Sequence, residues 1–423
     1  MSSTVSVHEL QVGMFVHLDL GWMRHPFALS SFRITSADQI QTIRHLGLQQ
    51  VRWAPEKSEL PEPEQAAPAD APAAAVVVAT EAAETAEEVA ARQRREALAQ
   101  QRASTQALES QCEEAGLALR EIGRLVQAQP MQARQDTEAL SRALLDKLLV
   151  DGEMCIRLMS SQVGDRAAAH GLNVAIIALL MGRSFGMGED EMMDLGVGAM
   201  LHDVGKLELP ERVRHFEDAF SSAETQAYRD HVAQGLKLGR GMGLSAGALQ
   251  VLSEHHEHAD GSGFPQRMSG DRMSQAARIV ALVNRYDNLC NPAVLSRALT
   301  PHEAVSLLFA QNRSRFDATV LNAFIRMMGV YPAGSVVQLT DDRYALVVGA
   351  NSSRPLKPRV LVHDPRMPRD EALQLDLENA RDLGIRRSLS PAKLPPAALA
   401  YLAPRPRVAY FFEPLAPTTP DAG

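Results

Sequence analysis

Two stretches decide how this chain is read: Leu201-His202-Asp203-Val204-Gly205-Lys206 and, about fifty residues later, His255-His256-Glu257-His258-Ala259-Asp260-Gly261-Ser262-Gly263-Phe264-Pro265. In the first, His202 supplies one imidazole that binds a single metal, and Asp203 one carboxylate whose two oxygens can bridge two. Neighbouring side chains on a helix diverge by about 100°, so the pair suits a shared dinuclear centre better than one ion. The same holds for His255-His256, and His170 and His231 lie in the same region. Imidazole and carboxylate donors without thiolate favour iron, manganese, zinc or nickel. Two metals held close together activate water and hold phosphoryl oxygens in a displacement. Lys206 falls three residues after Asp203, on the same helix face, where an ammonium neutralises charge developing on a phosphate. Any one of these histidines alone reads better as a hydrogen-bonded core or surface residue; the combination carries the inference.

Working outward, residues 135–330 read as a succession of helices, with apolar residues at helical spacing over 140–149, 173–185, 191–201, 245–255, 276–289 and 301–308. After Tyr331-Pro332 the runs 336–339, 344–348, 360–362 and 408–412 are short and β-type, which predicts a small β-rich module over 331–423. Upstream, residues 1–55 predict short strands and a helix opened by Ser36 with Gln39 three residues on, then Ile40, Ile43 and Leu46. Residues 56–80 are rich in Pro, Ala and Glu and predict a flexible linker. Residues 81–126 predict a solvated helix that Pro130 interrupts, so 56–134 separates the outer modules. No repeat of fixed period is present.

The 423 residues leave ample material for a large core, and 45% hydrophobic with 22% charged residues excludes disorder throughout. A net charge of −8 provides no global basic field for nucleic acid or anionic lipid and leaves room only for a local cationic pocket. Cys112, Cys155 and Cys290 lie far apart, so neither a disulfide framework nor a thiolate zinc site is indicated. The N-terminus has no basic region leading into an apolar one, and the longest apolar run, 174–181, is short of a bilayer span. A cytoplasmic protein with no membrane contact is the expectation.

The two opening motifs resemble the HD-GYP family of cyclic di-GMP phosphodiesterases, over roughly residues 145–330. The resemblance implies a mainly α fold, an all-α HD-type helical domain flanked here by the N-terminal α+β and C-terminal β-rich modules. It implies metal ligands at His170, His202, Asp203, His231 (within His231-Val232-Ala233-Gln234-Gly235), His255 and His256, with Asn284 where the family has an Asp. It further implies two divalent ions, iron or manganese, with Asp203 and Lys206 catalytic and Gly261, Gly263, Phe264 and Pro265 against the substrate. Residues 1–55 also look like the small domain found ahead of HD-GYP domains, at Gly13-Met14-Phe15-Val16, Leu18-Asp19 and Trp22-Met23-Arg24-His25-Pro26-Phe27.

Four departures from the family qualify these expectations. Asn284 offers a neutral carbonyl oxygen, which lowers metal affinity, and Arg166, one turn before His170, stands where members with three metals carry a Glu. Phe264 replaces the Tyr of Gly-Tyr-Pro, keeping a ring for a guanine and losing a hydroxyl. Ala293-Val294-Leu295-Ser296 replaces a basic stretch that contacts phosphate, with Arg285 or Arg297 as candidates to compensate. The leading reading is a phosphodiesterase hydrolysing cyclic di-GMP. Its rivals are a weakened module that senses the dinucleotide or serves as a scaffold, and an HD phosphohydrolase of another nucleotide. Signalling-protein partners and a homodimer are compatible with these readings; nucleic acid is not. Asp287 is read as a structural cap or pair, Met192, Met193, Met200, Met327 and Met328 as core, and His25 and His45 as packing or surface residues.

Overall fold

The alternating runs and the capped helix near the N-terminus form as their spacing predicts. In the computed structural model, strands β1 (Ser3–Ser6), β2 (Phe15–His17), β3 (Ser31–Arg33) and β4 (Gln50–Trp53) make an antiparallel sheet in the order β1-β4-β2-β3. Helix α1 (Ala37–His45) starts where the Ser36 hydroxyl accepts the Gln39 N–H, and its Ile40 and Ile43 pack with Val16, Ile34 and Val51. The structure describes residues 3–20, 25, 27, 31–59, 85–149, 152–160, 165–217, 219–311, 313–351, 354–380 and 382–414. The greater part of the expected linker, and of the 22–27 motif, lies outside the described residues.

The chain divides into two units, Met1–Ala103 and Ser104–Gly423, with no division at the expected 330 boundary. Helix α2 (Ala86–Ala128) passes from one into the other and begins mostly exposed, as a solvated helix should. Its later part differs from that expectation. Leu108, Cys112, Ala115, Leu119, Ile122 and Val126 are buried at steps of four and three residues, an apolar stripe that the surrounding charge obscures in the sequence. Pro130 then opens α3 (Pro130–Leu148) at its first position, where the missing N–H costs nothing.

The larger unit continues with β5 (Met154–Leu158), α4 (Arg166–Ser184), α5 (Glu189–Leu201), α6 (Ser222–Arg229), α7 (His231–Met242), α8 (Ala246–Glu254), α9 (Gln275–Cys290), α10 (Pro301–Gln311) and α11 (Ala318–Met328). The core helix is α4, packed against α5 and α9 and buried from Gly171 through Gly182. It has the length and apolarity of a membrane span, but 78% of that window is buried inside the unit.

After α11 come β6 (Val336–Leu339), β7 (Tyr344–Asn351), β8 (Arg359–Val362), β9 (Leu375–Asp376), β10 (Ile385–Leu389), α12 (Pro396–Leu402) and β11 (Tyr410–Pro414). They form one antiparallel sheet, β10-β6-β7-β5-β11, with β8 on β7 and β9 on β8. Alternate residues of β7 enter two cores, Leu346 and Val348 in one, Ala345 and Val347 in the other. The unexpected member is β5, from the stretch read as helical; it pairs with both β7 and β11. The C-terminal strands are thereby built into the same unit as the helices. Both halves meet at Tyr410, whose hydroxyl lies 2.8 Å from that of Tyr286 on α9.

Candidate metal centre

Three helix ends and one helix face converge on Asp203. His170 projects from α4, His202 caps the C-terminus of α5 with Asp203 next to it, His231 opens α7, and His255 caps α8 with His256 following. The Asp203 carboxylate has an imidazole set at each oxygen. Oδ2 lies 3.5 Å from His170 Nε2 and 3.6 Å from His202 Nε2; Oδ1 lies 3.6 Å from His231 Nε2 and 3.8 Å from His255 Nε2. His256 belongs to the second set.

Three of the imidazoles are oriented by one device. The last carbonyls of a helix have no intrahelical donor. The Nδ1–H groups of His202, His231 and His255 each donate to the carbonyl three residues back, of Ala199 (2.8 Å), Tyr228 (2.6 Å) and Leu252 (2.9 Å). A carbonyl only accepts, so each ring carries its proton on Nδ1 and presents the Nε2 lone pair to the centre. His170 Nδ1 faces a carboxylate oxygen of Asp287 at 2.6 Å, with the same consequence.

This fixes the fit of a metal. His170 Nε2 stands 3.1 Å from His202 Nε2, and His231 Nε2 3.2 Å from His255 Nε2. With both protons committed to Nδ1, each of these contacts sets lone pair against lone pair, an arrangement that a cation between acceptors resolves. Among the described residues, Asp203 Oδ1 and His256 Nε2 are buried without a hydrogen-bond partner, on the same side. Burial also keeps the rings neutral: it pushes His202 down to about 4, against the pull of Asp203, and holds His255 and His256 well below the ordinary histidine range. Neutral imidazoles are the form that ligates. Burial alone would raise Asp203, but Lys206 and the surrounding imidazoles outweigh it and hold the carboxyl well below its ordinary value. The residues present fit divalent metal, with His170, His202 and Asp203 as one candidate donor set and Asp203, His231, His255 and His256 as another.

Lys206 donates to Asp203 Oδ2 at 2.6 Å, and its ammonium lies 5.4 Å from the Tyr228 ring centroid. Burial pulls its pKa down, but Asp203 and Tyr228 prevail and keep it raised, so it remains a cation. Close backbone approach brings this turn to α7: a Cβ on Gly205 would stand 1.9 Å from the His231 carbonyl oxygen.

A carboxylate read only as structural orients the centre. Asp287 Oδ1 accepts from Asn173 Nδ2 (2.9 Å) and Asn291 Nδ2 (2.8 Å), while Oδ2 holds His170. Both asparagines also clasp the C-terminal strand. Their Nδ2 groups donate to the Val408 carbonyl, and their Oδ1 atoms accept the Tyr410 and Val408 N–H groups. Asn284, one turn earlier on α9, is buried, and its Oδ1 accepts from Asn288 Nδ2 at 2.6 Å.

The loop after His256 is drawn in by buried Glu257, which accepts the N–H groups of Gln266 and Met268. Gly263 is required there, because a Cβ would meet the Glu257 and His258 backbone within 2.5 Å. Phe264 stacks on His256, centroids 4.4 Å apart at 19°, and lies 5.0 Å from the Arg229 guanidinium. Its ring therefore braces an imidazole of the cluster, a contact the sequence reading did not anticipate. Gly261 is partly exposed and Pro265 exposed on the same loop.

Two family models and several curated relatives match the chain. A family model described as an HD domain matches residues 143–320, and one described as a domain of unknown function (DUF3391) matches 2–137, well past residue 55. Cyclic di-GMP phosphodiesterase PA4108 of Pseudomonas aeruginosa is 26% identical over 369 residues, 86% of this chain and 85% of that protein. Cyclic di-GMP phosphodiesterase response regulator RpfG of Xanthomonas campestris is 31% identical over 36% of this chain and 40% of that protein. The 3'3'-cGAMP-specific phosphodiesterase 2 of Vibrio cholerae is 28% identical over 37% and 30%. The solved structure of Bd1817, a HDG"Y"P protein from Bdellovibrio bacteriovorus, aligns with 77% of this chain and 98% of its own at 12% identity and a TM-score of 0.41. Fold and donor set define an HD-domain protein. Within the chain the HD domain spans residues 143–320, with a DUF3391 domain matched ahead of it over 2–137.

Proposed function

We propose that this chain is a metal-dependent phosphodiesterase that hydrolyses a cyclic dinucleotide, cyclic di-GMP before others, in bacterial second-messenger signalling. The observation that carries the reading is the pair of Nε2 sets on opposite oxygens of Asp203. His170, His202 and Asp203 Oδ2 would hold one ion, and His231, His255, His256 and Asp203 Oδ1 the other, with iron or manganese suited to these donors. Such ions supply Lewis-acid polarisation of phosphoryl oxygens and an acidified water. Lys206, kept cationic beside Asp203, stabilises negative charge growing on the phosphoryl group. Phe264 lies against His256 and Arg229 lies over the Phe264 ring, where a base and a phosphate would enter. The relatives named as acting on cyclic di-GMP support this substrate; those named for 3'3'-cGAMP make the base pair the specificity question. The cytoplasm is the compartment that fits such a substrate.

A second reading, a weakened module that binds the dinucleotide as a sensor, is favoured by Asn284, neutral and engaged with Asn288. The test is turnover of cyclic di-GMP and 3'3'-cGAMP by protein loaded anaerobically with iron(II) or manganese(II), beside calorimetric binding of both. Turnover supports the enzyme; tight binding without turnover supports the sensor.

A further inference from the structure

Arg407, from the far end of the chain, packs against the C-terminus of α9. Its Nη1 donates to the carbonyls of Asn291 (3.5 Å) and Pro292 (3.2 Å), just past the C-terminus of α9. The next residue, Val408, is gripped by Asn173 and Asn291, the two asparagines that also hold Asp287. On the facing helix α4, Arg166, His170 and Asn173 fall at i, i+4 and i+7 and so share one face. Asn173 thus touches the segment that carries Arg407, and Arg166 lies one turn beyond the metal-facing His170.

Both guanidiniums are only partly exposed, and among the described residues neither has a carboxylate within ion-pair distance. Their proximity is felt electrostatically. Burial and then Arg407 lower the Arg166 pKa, while Asp287 and Asp203 oppose that shift. Like charges gathered in a partly desolvated place, with no carboxylate at ion-pair distance, favour an anion that completes them. Guanidinium pairs suit phosphate through their paired donors.

We propose that Arg166 and Arg407 form a second anion subsite beside the metal centre, one that grips the phosphate of a cyclic dinucleotide that is not being cleaved. The proposal rests on the substrate class proposed above; the arginine geometry itself does not.

The test uses the full-length, metal-loaded protein and its Arg166→Gln, Arg407→Gln and Arg407→Lys variants. The reaction followed is cleavage of bis(p-nitrophenyl) phosphate, which carries one phosphate, with cyclic di-GMP as competitor. Losing a charged contact to the second phosphate should weaken the competitor roughly ten- to a hundredfold more than it slows the cleavage itself. Arg407→Lys should recover part of the loss, and metal content should stay at the parental level. Equal losses for cleavage and competition, or no shift in either, would overturn the subsite. A parent that cleaves the small ester but ignores cyclic di-GMP contradicts the substrate reading alone. Competition by adenosine 3',5'-bisphosphate then judges the arginines by the same shift. If no cleavage is detectable, calorimetric titration of these ligands reads it directly.

Discussion

His170 Nδ1 lies 2.6 Å from Asp287 Oδ2, and this bond joins the metal centre to a strand nearly 240 residues further along the chain. The other oxygen of Asp287 is shared by Asn173 and Asn291, which hold Val408 and Tyr410 by their backbones. A carboxylate in this position fixes the tautomer and ring orientation of a ligating histidine.

Asp287→Asn should therefore weaken the half of the site formed by His170 and His202. An amide accepts at one end only, so either His170 or the two asparagines face a donor. Metal titration should show affinity falling by roughly ten- to a hundredfold for one class of ion. The ion held by His231, His255 and His256 should be nearly unaffected.

Gly205→Ala should disrupt the approach of the His202–Lys206 turn to α7, because the new Cβ would stand 1.9 Å from the His231 carbonyl and 2.4 Å from the Gly235 nitrogen. Backbone on both sides leaves no flexible side chain to yield. Overpacking of this kind costs about 1–3 kcal/mol or more. Thermal unfolding should show the loss, with His231 displaced from the cluster.

Asn284→Asp should raise metal affinity or turnover by adding an anion to the site's edge, while Asn288 keeps its acceptor. Unchanged metal affinity and unchanged turnover would place residue 284 outside the ligand set.

Lys147 gives a pH dependence that owes nothing to metal. Its side chain is 2% exposed near the end of α3, and burial lowers its pKa from 10.5 to about 8, against the attraction of Asp146 and Glu114. Between those values the unfolded chain binds the proton and the folded chain does not, so stability rises with pH from about 8 to 10.5. Below about 8 both states are charged and the full penalty is present. Denaturant titrations should show a gain of roughly 3 kcal/mol across that window, and Lys147→Met should abolish the slope and stabilise the protein at neutral pH.

What could be read in the sequence follows from the range of each interaction. His202, Asp203 and Lys206 are neighbours, and local spacing suffices to group them. The capped α1 and the apolar periods of α4 and α9 are equally local. Asp287 looked like an ordinary helix carboxylate because its partner His170 is 117 residues away. Strand β5 is five residues between helices, too short for a period to emerge, and its pairing with β11 spans more than 250 positions. The part Arg407 takes is hidden for the same reason. Phe264 carries its aromatic signal openly, but only packing reveals that its ring lies on His256.

Metal stoichiometry tests the central claim most directly. Anaerobically reconstituted parent protein should bind about two equivalents of iron(II) or manganese(II), and His202→Ala and His255→Ala should each lose about one, from different halves of the Asp203 bridge. The double variant should bind almost none while keeping its helical content. A parent that binds a single equivalent, retained in both single variants, would contradict a centre divided between the two oxygens of Asp203.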